Sequence, residues 1–322
     1  MNDTLMALLK LLLNGEVCSG ERLGEALGIS RAAVWKHLRQ LRDFGLVLET
    51  LRGSGYRLQN PLQLLDKRYL ETHIDPGLPI NIKVESSIAS TSQFLYQALS
   101  SGAERGPTAL FAEHQTQGRG RRGRVWQSPF GSNLYFSVAW PYSQGVNSLE
   151  GVSLAIGVAI CRALNGLGIA GVGLKWPNDV LFDQKKLAGI LVEVGGDVSG
   201  ECFIVVGIGL NVNMPQAVVI DQAWIDLRTL SQGRLWDRNQ IAVKLLNELL
   251  PMLNAYSERG FEHYRQAWHS FHAYQNQPVK VIVGQQQIRG KCLGVDPSGS
   301  LRLDTGGGER VFSGGELSLR LD

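Results

Sequence analysis

The feature that most restricts the fold is a change of hydrophobic period at Gln59-Asn60-Pro61. Before it, apolar residues recur at helical spacing, beginning with Leu5, Leu8, Leu9 and Leu12; from about residue 80, short β-rich runs alternate with helical ones. A Pro-containing break between two such patterns marks a domain boundary. The expected architecture is therefore an α+β multidomain chain: a helical unit over 1–62, a mixed α/β unit over 63–272 and, from the short strands and Gly turns beyond Gln277, a small β unit over 273–322. With 322 residues, the chain is long enough to bury a core without covalent staples. Its composition, 44% hydrophobic and 19% charged, excludes disordered, collagen-like and disulfide-framework classes. Cys18, Cys161, Cys202 and Cys292 are scattered, show no CxxC and read as reduced thiols rather than zinc ligands.

Two apolar stretches are not read as membrane segments. The run LMALLKLLL follows Asp3, contains Lys10 and lacks a basic region or a small-residue cleavage site. The run Ser153–Leu174 carries Arg162 and Asn165 and is expected to be a buried amphipathic helix followed by a strand. A cytoplasmic protein with no membrane partner is expected.

In the first sixty residues, a helix stopping at Asn14-Gly15 is followed by one capped by Ser19 and ended by Gly28. Ser30 then caps a third helix, RAAVWKHLRQLRDF, with Val34, Leu38 and Leu41 inward. Helix, short Gly turn and second helix form the helix-turn-helix layout, and VLETL and GYRL around Arg52-Gly53-Ser54-Gly55 read as a wing. Arg31, Lys36, Arg39, Arg42 and Arg52 are the candidate DNA contacts, suited to phosphates and base edges. The net charge of +3 does not by itself announce such a role; the placement of the arginines does.

The densest chemical signal is TALFAEHQTQGRGRRGRVW. A strand over Thr108 to Ala112 leads into a loop with four arginines in the seven residues Gly118–Arg124. Its GxGxxG spacing fails as a dinucleotide fingerprint, because no amphipathic helix follows and no acidic residue appears at the required distance. Adjacent like charges repel unless they are solvated or hold an anion, so three readings stay open: a solvated basic loop, one that orders around phosphate, and one that touches nucleic acid. Downstream, Lys175, Asp179 and Lys186 fall at strand ends, with a hairpin turning at Asp183-Gln184-Lys185, and Asn211 follows Gly207-Ile208-Gly209.

Taken in order, STS, EHQTQGRGRRGRVW, KWPND, KLAGILVE and GIGLNVN resemble the biotin protein ligases over essentially the whole chain. The winged helix-turn-helix in front is similar to that of the bifunctional bacterial members, which also repress the biotin operon. The resemblance implies a class II synthetase-like catalytic domain and an SH3-like C-terminal β-barrel. It implies biotin contacts from Ser90, Thr91, Ser92, Gln115, Arg119, Gly120, Arg121 and Lys186. It also implies ATP and adenylate contacts from Gly118, Arg119, Arg121, Asn211 and Trp224, with Lys186 and Arg121 catalytic. Mg2+ would accompany ATP, with Asp179 as its candidate ligand. Partners implied are a lysine of the biotin carboxyl carrier protein of acetyl-CoA carboxylase, operator DNA, and a second copy of the chain when adenylate is bound. Ser92 stands where the family pattern often has Asn, and His114 and Thr116 also depart from the commoner residues around Gln115.

The residue types suit that chemistry. A carboxylate attacking a phosphate needs like-charge repulsion cancelled, which arginine, lysine and magnesium do by positioning and electrostatics. Two other readings remain: a ligand-sensing regulator without ligase activity, and a lipoate or octanoyl transferase. Intact Arg119, Arg121 and Lys186 favour a ligase, and the polar set Ser90, Thr91 and Gln115 favours a ureido ring over a dithiolane.

Overall fold

A computed structural model describes residues 1–143, 145–197, 200–215, 218–314 and 317–322. The N-terminal unit holds α1 (Asp3–Leu12), α2 (Gly20–Leu27) and α3 (Arg31–Asp43), then a hairpin of β1 (Leu48–Leu51) and β2 (Gly55–Leu58). Asn2, Ser19 and Ser30 each accept a bond from a backbone N–H in the first turn, and Gly28 ends α2 in the left-handed conformation that costs glycine least. Leu8, Leu12, Leu23, Val34, Leu38 and Leu41 close the core of this unit. The winged helix-turn-helix read from the periodicity is the observed fold.

The central unit contains α4 (Lys67–His73), β3 (Asn81–Glu85), α5 (Thr91–Ser100), β4 (Thr108–Ala112), β5 (Leu134–Tyr142), α6 (Val152–Gly166), β6 (Val172–Lys175), β7 (Asp179–Phe182), β8 (Lys185–Gly196), β9 (Cys202–Leu210), α7 (Leu227–Leu230), α8 (Arg238–Arg259) and α9 (Glu262–Phe271). Its seven strands run in the order β3-β4-β5-β9-β8-β7-β6, antiparallel except for the β3–β4 pair. The period of two decides which residue faces which layer. Ile204, Val206 and Ile208 join the main core, whereas Val205 packs with Leu95 of α5 on the opposite face. The span 153–174 is a helix and a strand, but α6 is buried nearly all round rather than amphipathic, because the sheet covers one side and α8 and α9 the other. Among the described residues, no helix is long and apolar enough to cross a membrane.

The C-terminal unit, β10 (Pro278–Val283), β11 (Gln286–Val295), β12 (Leu301–Asp304), β13 (Glu309–Phe312) and β14 (Leu317–Leu321), is an antiparallel sheet ordered β13-β12-β11-β10-β14. Val279, Val281, Leu301 and Leu319 share the central unit's core, and the Trp176 indole donates to the Gly299 carbonyl at 3.0 Å. β14 is thereby carried to the edge of the site described below.

The N-terminal unit is tied on just as firmly. Arg238 and Glu113 are 1% and 2% exposed and form an ion pair at 2.7 Å. The second Glu113 oxygen accepts from Leu65 N, and Arg238 also donates to the carbonyls of Asn133 and Gln63, so the segment after Pro61 is pinned to β4 and α8. Phe44, at the end of α3, stands edge-on to His114 and Phe130. A buried pair so fully bonded costs little while whole and much when halved. Arg238→Met is therefore expected to lower unfolding stability by about 3–5 kcal/mol, and the double variant Arg238→Met/Glu113→Gln to recover most of that loss, since glutamine still accepts from Leu65. Equal denaturation midpoints for wild type and the single variant would contradict this account.

Candidate active site

The site forms where the Gly–Arg loop after β4 folds back over the centre of the sheet. Trp126 N donates to Gly118 O at 2.9 Å, Arg119 pairs with Val125, and Arg121–Gly123 make one tight turn between them. A side chain at Gly118 would run into the Trp126 carbonyl, so only glycine lets the loop close. Gly120 N donates to Arg124 O at 2.7 Å, so this amide is used within the loop instead of being offered to an anion.

Two spaces lie beneath, sharing Gly120, Arg121, Trp126, Asn178 and Lys186 in their walls. The smaller, about 50 Å³, is lined by Thr91, Ser92, Gln115, Arg119, Gly120, Arg121 and Lys186, together with Trp126 and backbone of β8 and β9. Thr91 N and Oγ1 both donate to Gln115 Oε1, at 2.9 and 3.2 Å, and Gln115 Nε2 donates to Ser128 Oγ at 3.2 Å. Ser90 lies behind this cleft as the N-cap of α5, its hydroxyl 3.2 Å from that of Ser92. The larger space, about 600 Å³, is lined by Arg121, Arg122, Arg124, Lys175, Asp179, Lys186, Asn211 and Trp224, and by Arg320 from β14. Of the expected adenylate residues, Arg121, Asn211 and Trp224 line it, Arg119 lines the smaller space, and Gly118 lines neither.

The charges are arranged around one carboxylate. Asp179 accepts Lys186 at 2.7 Å and faces Lys175 at 3.7 Å, while Arg119 pairs with Glu193 at 3.1 Å. Arg121 donates to Asn178 Oδ1 at 3.0 Å, and Asn178 in turn donates to Ile190 O. Desolvation pulls the Lys175 and Arg121 pKa values down, against the opposing pull of Asp179, so both cations are held at a cost that a bound anion would relieve. The reading of Arg121 as part of a merely solvated loop thus gives way to a docked guanidinium.

Three buried side-chain polar atoms lack a hydrogen-bond partner among the described residues: Trp126 Nε1, Glu193 Oε2 and Asn211 Oδ1. Trp126 and Asn211 line the cavities, and Glu193 is the partner of a lining arginine. Buried polar groups are normally satisfied, so this concentration marks a place where a ligand completes the bonding. Asn211 spends its amide on the carbonyls of Lys186 and Ile225, which fixes the 223–225 segment beside Lys186 and leaves its oxygen as the acceptor.

Sequence reasoning missed Trp126, Asn178, Glu193 and Arg320. Trp126 lies against Gly189 and Gly209, where any side chain would strike its ring, and its ring faces the Lys186 ammonium at 5.4 Å. Two glycines inside adjacent strands are a signal of close approach that was there to be read. Arg320 carried no such signal, because only the docking of the C-terminal sheet brings it in. As for the expected DNA contacts, Arg31, Lys36, Arg39, Arg42 and Arg52 are all exposed, and Arg42 also donates to Leu48 O and Thr50 Oγ1, both at 3.4 Å, tying α3 to the wing.

Residues 84–213 match the biotin/lipoate A/B protein ligase family, residues 4–57 an HTH domain, and residues 275–320 the biotin protein ligase C-terminal domain. The chain is 41% identical over 321 residues to the bifunctional ligase/repressor BirA of Escherichia coli K12, covering 99% of this chain and 98% of that one. It is 35% identical to the biotin--[acetyl-CoA-carboxylase] ligase of Mycobacterium tuberculosis, over 73% of this chain and 88% of that one. The biotin protein ligase of Aquifex aeolicus, solved with biotin and ATP, superposes with a TM-score of 0.64 at 31% identity, over 75% of this chain and 99% of that one. Near-complete coverage at such identity, with the family's segments matched in order along the chain, establishes that it belongs to the biotin/lipoate A/B protein ligase family, among the members that carry an N-terminal HTH domain.

Proposed function

We propose that the chain is an ATP-dependent biotin protein ligase that doubles as a repressor of the biotin operon. A carboxylate oxygen of biotin attacks the α-phosphorus of ATP, the bond to pyrophosphate breaks, and biotinyl-5'-AMP forms. The ε-amine of a lysine on the biotin carboxyl carrier protein of acetyl-CoA carboxylase then attacks the acyl carbon. AMP leaves, the nitrogen gives up a proton, and an amide remains. The observation that carries this reading is the convergence of Arg121, Arg122, Arg124, Lys175, Lys186 and Arg320 on one cavity that opens beside a polar cleft bearing Thr91 and Gln115.

Each residue has a task suited to its chemistry. Gln115, Thr91 and Ser92 bond the ureido ring, with Ser90 holding the start of α5 behind them, and Arg119 and Gly120 border the same cleft. Lys186 meets the biotin carboxylate and then the acyl-phosphate oxygen; Asp179 is its positioning residue. Arg121 and Asn211 hold the adenylate, and Trp224 covers adenine. A magnesium ion carried by the triphosphate would supply charge neutralisation, and among the described residues Asp179 and Asp221 are the carboxylates lining the cavity that would face it. Because Asp179 already faces two lysines, these donors do not make a protein-built cage. The units 1–62, 63–272 and 273–322 divide DNA binding, ligation and cavity closure among them. Repression belongs to the adenylate-bound dimer, since one winged unit makes few phosphate contacts and a two-fold pair doubles them. The four buried thiols are in keeping with a cytoplasmic protein.

Pyrophosphate exchange with biotin, and separately with lipoate, tests the ligase reading. Exchange with biotin alone is expected; exchange with neither would leave an effector-binding regulator. Lys186→Ala is expected to slow adenylate formation and acyl transfer by roughly 10²–10³-fold, the usual effect of removing a preorganised charge from a transition state. Lys186→Arg is expected to rescue poorly, because a planar fork does not replace a compact ammonium beside Asp179. Wild-type turnover by the alanine variant would overturn the assignment. Arg121→Gly is expected to keep the fold yet release biotinyl-adenylate roughly tenfold to a hundredfold faster, the value of one charge-assisted phosphate contact. Equal dissociation rates would remove Arg121 from the adenylate site.

A further inference from the structure

We propose that Trp35 is a base-reading residue of α3: with the Arg39 guanidinium held over its ring, it covers the 5-methyl group of a thymine next to a guanine in each half-site of bound DNA. This rests on the repressor reading above. The inward stripe of α3, Val34, Leu38 and Leu41, is buried, and an exposed face runs along its flank. That face carries Arg31, Trp35, Arg39 and Arg42 at spacings of four, four and three residues, a single line along the helix. All four are exposed, and Arg42 also reaches back to the wing.

Trp35 is 53% exposed, and the Arg39 guanidinium carbon lies 5.0 Å from its ring centroid. A tryptophan left half in water contributes little to the core, and a better helix former would serve a merely solvated face. Its surroundings select the partner. No acidic residue occurs between Arg31 and Arg42, so the aromatic ring sits in a wholly basic stripe. Trp35 falls in the N-terminal half of the second helix of the helix-turn-helix, the part that reaches base edges in the major groove. The thymine methyl is the apolar mark on that edge, and arginine forks onto guanine O6 and N7. A cation–π contact limits the motion of the Arg39 fork, so the two residues read neighbouring positions as a unit.

The test uses the full chain with biotin and ATP. Duplexes are first enriched from a randomised pool by the wild-type protein, then remade with deoxyuridine replacing thymidine one position at a time, which removes only the methyl group. At one position in each half-site, the wild type is expected to lose roughly fourfold in affinity, the value of one buried methyl group. Trp35→Ala is expected to show no loss there and Trp35→Phe an intermediate one, while the salt dependence of binding, set by phosphate contacts, stays unchanged in both. Enrichment of a sequence at which wild type and Trp35→Ala respond alike to every replacement would overturn this role and leave Trp35 to a protein partner. Enrichment of no sequence would overturn the repressor reading together with it.

Discussion

Everything at this site depends on positive charge gathered faster than the protein neutralises it. Arg121, Arg122, Arg124, Lys175, Lys186 and Arg320 surround one cavity, and among the described residues the carboxylates that line it are Asp179 and Asp221. Desolvation lowers the pKa values of Lys175 and Arg121, Asp179 opposes the shift, and the neighbouring cations add to it. An anion with several oxygens relieves all of these interactions at once. Because each contact is made by a cation already aimed into the space, the reorganisation at the moment of reaction is small.

The scaffold works to keep these cations together. β6, β7 and β8 bring Lys175, Asp179 and Lys186 within ion-pair range, Asn178 holds Arg121 against the turn between β6 and β7, and β14 delivers Arg320. The far end of β4 is equally consequential, since three consecutive residues make three separate connections. Glu113 bonds the segment that follows Pro61, His114 meets Phe44 at the end of α3, and Gln115 bonds Thr91 in the ligand cleft. A shift of this turn on ligand binding would be felt directly by the helix that carries Trp35.

How much of this was legible in the sequence follows from the range of the forces involved. Capping residues, hydrophobic period and glycine stops are local, so the three N-terminal helices, β4 and the turn at Asp183-Gln184 were readable. The Gly–Arg loop and the lysine-bearing strand ends declared themselves through composition. Contacts between distant segments did not: Arg238 with Glu113, Trp126 against Gly189 and Gly209, and Arg320 at the cavity all depend on how finished units pack. Arg42 likewise gave no sign in the sequence of its bonds to the wing, which depend on how the hairpin packs beside α3.

The central claim is that one anion organises both halves of the molecule: the adenylate that satisfies the arginine loop also commits the chain to DNA. In the function proposed here, a bound phosphate offsets the cost of ordering the loop's mutually repelling arginines and would complete a dimer surface. The most direct measurement is a titration of a duplex enriched by the protein itself with the full chain, in the presence and absence of biotin plus ATP. A gain in affinity of roughly fivefold to a hundredfold with the adenylate, as expected for coupled sites, is the predicted result. Identical affinity in the two states would contradict the account and leave a constitutive DNA binder joined to an independent ligase.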